Sequence, residues 1–233
     1  MGLSIKGLQK TTLVDYPGKV ACTVFLPNCN FRCGFCHNKD LVLNSGALPA
    51  FSEQDVLEYL KEKKRWLDGI CITGGEPLLH KELINFLPRV KEIGYLVKVD
   101  TNGTNPNFLK ELIDRKLIDF IAMDIKNSIE KYEETAGAKV DTEEIKKSID
   151  LIKNSGIDYE FRTTVVPSLH TKDDIRNIGE LLKESKKFAI QNFKPANEVI
   201  DPKYKEMKGF TKEELEEFRG ILKNYLDKVE IRT

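Results

Sequence analysis

A chain of 233 residues, 40% of them hydrophobic, is long enough to bury one sizeable core, and we predict a single domain over residues 1–233. Its 37 basic and 37 acidic residues cancel and form no basic block, which argues against nucleic acid as a partner. No run approaches the roughly 20 apolar residues that span a bilayer, and residues 1–10 lack the apolar core of a secretory signal. We therefore expect a cytoplasmic protein with no membrane partner.

Six short apolar runs alternate with longer amphipathic segments along the chain. The runs are rich in Val, Ile and Phe, as is typical of strands covered on both faces, and lie at 20–26, 69–73, 96–100, 120–124, 159–165 and 188–193. Helix starts are marked by N-cap and N3 pairs that begin at Ser52, Asp141, Thr171 and Thr211. This alternation predicts an α/β fold, an open, partial (β/α)6 TIM-like barrel, although a doubly wound sheet fits the pattern almost as well. A last segment, 228–231, either pairs at an edge or trails off.

The loop after the first predicted strand carries three cysteines, and loops at this end of parallel strands build functional sites. Cys29, Cys33 and Cys36 are spaced Cys-x3-Cys-x2-Cys. Thiolates bind zinc, copper(I) or iron–sulfur clusters. A zinc site needs a fourth ligand, for which only the adjacent His37 is at hand, whereas a 4Fe–4S cluster on three cysteines leaves one iron open. The spacing therefore favours a catalytic cluster, and the other two cysteines, inside apolar strands, are predicted to be core residues.

The loop after the second predicted strand reads Thr-Gly-Gly-Glu-Pro. Gly74 and Gly75 let the backbone approach a ligand closely, and Glu76 supplies an acceptor for an ammonium group. Taken alone, the run is equally consistent with a plain strand-to-helix turn.

Charged residues mark the next three strands. Asp100 ends the third strand, Asp124 and Lys126 lie at the end of the fourth, and Arg162 lies within the fifth. Read singly, they could form a capped turn, a surface ion pair and a structural salt bridge. At adjacent strand ends, however, they would converge on one pocket and give it a polar lining.

The cysteine loop, with Phe35 before its last cysteine and Gly-Gly-Glu-Pro one βα unit later, resembles the radical S-adenosylmethionine (SAM) superfamily. The resemblance implies that SAM chelates the open iron of a 4Fe–4S cluster, and that an electron from the cluster cleaves SAM to methionine and a 5′-deoxyadenosyl radical. It also implies a monovalent cation near Asp100 and Asp124 as a possible further cofactor. The SAM-pocket residues that it implies are Phe35, His37, Gly74, Gly75, Glu76, Asp100, Asp124, Ile125, Lys126, Arg162 and Asn192, the last in place of a histidine found in some activating enzymes.

Three further segments indicate which group of radical SAM enzymes the chain resembles. They are Leu-Val-Asp-Tyr-Pro-Gly at 13–18, His-Asn at 37–38 and Gln-x-Phe-x-Pro at 191–195. They resemble anaerobic ribonucleoside-triphosphate reductase activating proteins and, slightly less, pyruvate formate-lyase activating enzyme. The resemblance implies a glycyl-radical-enzyme activase that takes hydrogen from a glycine of a partner enzyme, with flavodoxin or ferredoxin as electron donor. We predict that Asp15 and Tyr16 contact that glycine loop, unless they form a plain turn.

Two alternatives stay open at this point. One is a radical SAM enzyme that acts on a small molecule, such as 7-carboxy-7-deazaguanine synthase. The other is a non-enzymatic zinc module in which His37 completes the cysteine site.

Overall fold

The computed structural model describes residues 2–233, which form one eight-stranded sheet with helices in its connections. The strands are β1 Gly7–Thr12, β2 Ala21–Leu26, β3 Gly69–Gly74, β4 Leu96–Thr101, β5 Phe120–Asp124, β6 Asp158–Val165, β7 Phe188–Asn192 and β8 Val229–Arg232. The helices are α1 Lys39–Leu43, α2 Glu53–Lys63, α3 Leu83–Ile93, α4 Pro106–Asp114, α5 Tyr132–Ala136, α6 Thr142–Asn154, α7 Lys172–Leu181 and α8 Lys212–Leu222.

The strands follow one another across the sheet in chain order, from β1 at one edge to β8 at the other. The six predicted strands correspond to β2 through β7, which run parallel, and β8 extends the parallel series at the edge. Ala21 of β2 and Phe120 of β5 belong to one apolar cluster, so the sheet curls into the expected open barrel. The sequence pattern does not predict β1, which pairs antiparallel with β2, because its central residues Gln9, Lys10 and Thr11 are polar and exposed.

Most helix starts coincide with the capping signals in the sequence. The side chains of Ser52, Thr171 and Thr211 each accept a hydrogen bond from the N3 backbone N–H, and the backbone N–H of each donates one to the N3 carboxylate, so all three are complete capping boxes. Asp141 instead accepts from the N–H of Glu143. Of the helices within residues 2–233, none has the length and apolar character needed to cross a bilayer.

The two faces of the barrel sheet differ in polarity. The outward face packs beneath the helices through residues such as Ile72, Val99 and Ile121, which are fully buried. The inward face carries alternate residues, among them Lys98 and Arg162. The strands are covered on both faces, as predicted, and the charged groups on the inward face are tolerated because they pair with one another.

The segment between β1 and β2 closes the barrel at the amino ends of the strands. Tyr16 is buried there, with its ring 5.8 Å from Phe120 and against Gly69, which begin β5 and β3. Asp15 accepts a hydrogen bond of 2.6 Å from the Thr23 hydroxyl inside the barrel. The Tyr16 ring is thus part of the barrel floor, and Asp15 is bonded to that interior. Their predicted contact with a partner's glycine loop stays a prediction.

Candidate active site

A pocket opens at the carboxyl ends of the parallel strands, where the sequence predicts the functional residues. Loops after β2, β3, β4 and β5, together with side chains from β6, contribute to its lining. The predicted site residues that line it are Cys29, Cys33, Phe35, Cys36, His37, Gly74, Gly75, Glu76, Asp100, Asp124, Lys126 and Arg162.

The cysteine loop is folded tightly around its own backbone. The N–H of Cys36 donates to the carbonyl of Cys33 at 3.0 Å, and the N–H of Phe31 lies 3.3 Å from the sulfur of Cys29. Cys33 is buried, with its sulfur 3.6 Å from the carbonyl of Ala136 at the end of α5. These hydrogen bonds direct the three thiols, which lie within eight consecutive residues, into one pocket.

The environment of the three thiols fits a soft, positively charged metal group. Burial raises the pKa of Cys29 to about 11, and it also raises the pKa of Cys33 and Cys36. The metal-free thiols are thus protonated near neutrality, and a bound metal would displace those protons. Three thiolates suit an iron–sulfur cluster and leave one iron for another ligand.

His37 lies beside the cysteines but is directed away from them. Its Nε2 is 3.0 Å from the carbonyl of Lys194, and its ring is tilted 5.9 Å from that of Phe193. Within residues 2–233, no three His, Cys, Asp or Glu side chains form a group that could hold a single metal ion. The hydrogen bond ties Nε2 of His37 to the segment after β7.

The two glycines after β3 are required by the backbone of the cysteine loop. A Cβ on Gly75 would lie 1.9 Å from the carbonyl oxygen of Asn28, and one on Gly74 would lie 2.4 Å from that of Leu26. Gly74 also has φ +118°, which L residues rarely adopt. The N–H groups of Gly75 and Glu76 donate to the Leu26 and Asn28 carbonyls, at 2.9 and 2.8 Å. The glycines therefore bring two strand-end loops together, beyond the predicted approach to a ligand.

Glu76 is a buried carboxylate that joins the loops after β3 and β4. It is 1% exposed and accepts hydrogen bonds from the Leu78 N–H, the Thr101 hydroxyl and the Asn102 N–H, at 3.0, 2.7 and 2.6 Å. Burial raises the pKa of Glu76 to about 7, although these donors favour the charged form. The three donors leave acceptor capacity on a carboxylate that lines the pocket.

A network of ion pairs lies beside the thiols. Arg162 bridges both aspartates, with its Nη2 3.1 Å from Asp100 and its Nε bonded to Asp124. Lys126 lies 3.0 Å from the other oxygen of Asp124. Burial opposes the charged forms, but the cations outweigh it, so the pKa of Asp100 is lowered and that of Asp124 falls well below its usual range. Arg162 thus has the buried salt bridge that the sequence leaves open as an alternative, and it lines the pocket as well.

Lys98 is a member of this network that sequence reasoning missed. It is 2% exposed, and its ammonium bonds Asp100 from two residues earlier on β4. The Thr73 hydroxyl donates to the other oxygen of Asp100 at 3.0 Å. A signal was available, because a lysine two residues before an aspartate on a strand must share its face.

Two predicted pocket residues do not line the pocket. The amide of Asn192 donates to the carbonyl of Phe210 and accepts from the N–H of Phe210, at 2.8 and 2.9 Å. The side chain of Ile125 is fully buried in the core, while its backbone bonds Arg162 and Thr163 of β6. Both residues make structural contacts here, and their predicted roles toward SAM stay predictions.

Comparison with known proteins places this site in a family context. Residues 23–184 match the family model of the radical SAM superfamily. Over 98% of its length the chain is 37% identical to a "Putative glycyl-radical enzyme activating enzyme" of Methanocaldococcus jannaschii, covering 95% of that protein. It is 27% identical to the pyruvate formate-lyase-activating enzyme of Clostridium pasteurianum, over 96% of this chain and 98% of that one. The structure of Streptococcus suis SuiB bound to S-adenosylmethionine matches the fold with a TM-score of 0.67 and 16% identity, over 91% of this chain and 52% of that one.

Proposed function

The chain belongs to the radical SAM superfamily, and we propose that it is a glycyl-radical-enzyme activase whose partner is an anaerobic ribonucleoside-triphosphate reductase. Its cofactors are one 4Fe–4S cluster with three cysteine ligands and SAM. The observation that carries the proposal is the convergence of three thiols, a buried carboxylate and a bridged pair of aspartates in one pocket. The names of the two relatives that match nearly the whole chain support the activase class.

Each part of SAM finds a matching group in the proposed pocket. Cys29, Cys33 and Cys36 would hold the cluster, and Glu76 would accept a hydrogen bond from the SAM amino group. Lys126 and the bridging Arg162 bring positive charge to the side where a carboxylate would bind. Apolar side chains that include Phe31, Phe35, Val42 and Ile200 line the same pocket and would limit the entry of water.

With one electron from the cluster, bound SAM would supply methionine and a 5′-deoxyadenosyl radical, and this radical would take a hydrogen atom from a glycine Cα of the partner to leave 5′-deoxyadenosine and a glycyl radical. The electron would come from a flavodoxin or a ferredoxin. The protein itself would exclude water from the pocket and hold the 5′ carbon of SAM close to the glycine Cα. A radical that contacts solvent, or another hydrogen atom, would react there instead.

The choice of a reductase as partner rests on the three segments at 13–18, 37–38 and 191–195. In the structure these segments form the barrel floor and the contact of His37 with the region after β7. They therefore bear on how the pocket is built, and the identity of the partner has to be measured.

The test begins with the cluster and proceeds to the partner. We would reconstitute the protein anaerobically, reduce it and record EPR spectra with and without SAM, comparing Cys33→Ala with Cys22→Ala. Both cysteines are buried, but Cys22 lies on β2 outside the pocket. We expect the wild type and Cys22→Ala to give a 4Fe–4S signal that shifts with SAM, and Cys33→Ala to lack it.

The second stage mixes the SAM-loaded protein with purified anaerobic ribonucleoside-triphosphate reductase or with pyruvate formate-lyase. A glycyl-radical doublet on the reductase supports the proposal in full. A doublet on pyruvate formate-lyase alone would show that the partner is wrong while the activase class is right. SAM cleavage that needs a small-molecule substrate, as in 7-carboxy-7-deazaguanine synthase, would contradict the activase proposal.

A further inference from the structure

A fully enclosed ammonium lies directly beneath the pocket. Lys98 projects into the barrel from the middle of β4 and is 2% exposed. Its Nζ bonds the Oδ1 of Asp100 and lies 3.7 Å from the sulfur of Cys71 on β3. Burial of a lysine ammonium is unfavourable unless a carboxylate pairs with its charge. Packing alone therefore does not explain why Lys98 lies in this network.

The carboxylate oxygens of Asp100 and Asp124 differ in the number of cations that contact them. Asp124 has a cation on each oxygen, Arg162 on one and Lys126 on the other. Asp100 has Arg162 and the Thr73 hydroxyl on Oδ2, whereas among residues 2–233 the only cation on Oδ1 is Lys98. Without Lys98, this oxygen would face the barrel interior with nothing but the Cys71 thiol, 3.8 Å away.

The other charges that face this region do not replace Lys98. Glu160 lies lower on β6 and is already paired with Arg232 and Lys187. Asp15 is bonded to Thr23 across the barrel. With Lys98, this network holds three cations against the two carboxylates of Asp100 and Asp124, so it leaves no negative charge for a free cation to balance.

We propose that Lys98 is the built-in cation of this pocket, a positioning residue that holds Asp100 against Arg162 and makes SAM binding independent of any monovalent metal ion. The inference rests on the proposed SAM pocket but not on the identity of the partner, so it can fail while the activase proposal stands. It replaces the monovalent cation that the sequence resemblance implies near Asp100 and Asp124. A metal ion in that place would be exchangeable with solvent ions, whereas a lysine side chain is not.

The test measures the affinity of the reconstituted protein for SAM by anaerobic titration in buffers whose only monovalent cation is choline, sodium, potassium or ammonium. For the wild type we expect affinities that agree within about twofold in all four buffers. Lys98→Ala removes the ammonium and leaves a polar space, so we expect a loss on the order of tenfold in choline that potassium or ammonium largely restores. Lys98→Met fills the same space with an apolar chain, so we expect the loss without the rescue.

Lys187→Ala is the matched control, because it removes another largely buried lysine that is paired with Glu160 outside the pocket. Its SAM affinity should not respond to the choice of cation. A wild type that binds SAM several-fold more tightly in potassium than in choline would overturn the proposal, as would a Lys98→Ala protein that binds like the wild type in choline. If Lys98→Ala does not fold, the four wild-type titrations alone test the proposal. Equal SAM affinities in all four buffers support it, and tighter binding in potassium than in choline contradicts it.

Discussion

The absence of a Cβ at Gly75 allows the close loop contact that shapes this pocket. Its backbone lies so close to that of Asn28 that a Cβ would overlap the Asn28 carbonyl oxygen, 1.9 Å away. Both partners of this clash are backbone atoms on well-bonded loops, so neither can move without breaking the bonds that join the loops after β2 and β3. The glycine is therefore needed for the fold of the site even before a ligand is considered.

We expect Gly75→Ala to lower the free energy of unfolding of the metal-free protein by about 2–3 kcal/mol, because the added methyl overpacks a rigid contact. Gly220→Ala on α8 is the control, since its Cβ meets nothing within 4 Å. That change should raise stability by about 0.5–1 kcal/mol through helix propensity. Urea unfolding measures both, and equal midpoints for Gly75→Ala and the wild type would contradict the close approach.

The segment after β7 is an element that supports the cysteine loop from above. Tyr204 packs its ring 6.1 Å from Phe35 and 6.2 Å from Phe193, and the N–H of Asp201 donates to the carbonyl of Gly34 at 2.8 Å. The loop that carries the thiols is thus clamped between α5 on one side and this segment on the other. Its own short length could not hold three side chains in place.

Tyr204→Ala should therefore weaken retention of the cluster, because it removes the aromatic side of that clamp and costs about 3 kcal/mol of packing. We would measure iron per protein after gel filtration of the reconstituted variant. Tyr225→Ala is matched to it, since Tyr225 packs on Gly179 between α7 and α8, away from the pocket. A Tyr204→Ala protein that keeps as much iron as Tyr225→Ala would argue against the clamp.

For the molecule as a whole, a charge pair links the last strand to β6, in addition to the pairing of β8 with β7. Arg232 of β8 donates two hydrogen bonds, at 2.8 and 2.7 Å, to Glu160 of β6, which is 1% exposed, and Lys187 adds a third contact at 3.2 Å. Burial opposes the charge on Glu160, but Arg232 and Lys187 outweigh it, so its pKa is lowered. A lowered acid pKa contributes stability above the usual range of a glutamate, and that contribution is lost as the pH falls through the folded value.

Arg232→Met should destabilise the protein by about 3–5 kcal/mol at neutral pH, because it leaves Glu160 charged and buried without its main partner. The difference from the wild type should shrink toward about pH 4.5, where Glu160 can take up a proton in the variant. Arg219→Met, which breaks an exposed pair with Glu216 on α8, should cost less than about 1 kcal/mol at either pH. A penalty for Arg232→Met that does not depend on pH would mean that Glu160 is not its cause.

The parallel α/β architecture, the cysteine loop and the three polar strand ends could be predicted from the amino-acid sequence. These follow from periodicity and from chain order, since the carboxyl ends of successive parallel strands must meet at one edge of the sheet. Cys29, Glu76, Asp100 and Lys126 could therefore be assigned to one pocket without coordinates.

The end of the barrel that a connection closes, and the strand face that turns inward, could be read only from the folded chain. Tyr16 precedes the first parallel strand in sequence and lies under it in space, and Asn192 ends a strand yet spends its amide on a neighbouring loop. Lys98 lies within an apolar run, and its charge has a function only because the curled sheet brings Arg162 and Asp100 together around it. Local sequence patterns indicate the secondary structure and burial that a residue favours. The partner that pairs with a buried charge or with a hydrogen-bonding group comes from a distant part of the chain, so these patterns do not identify it.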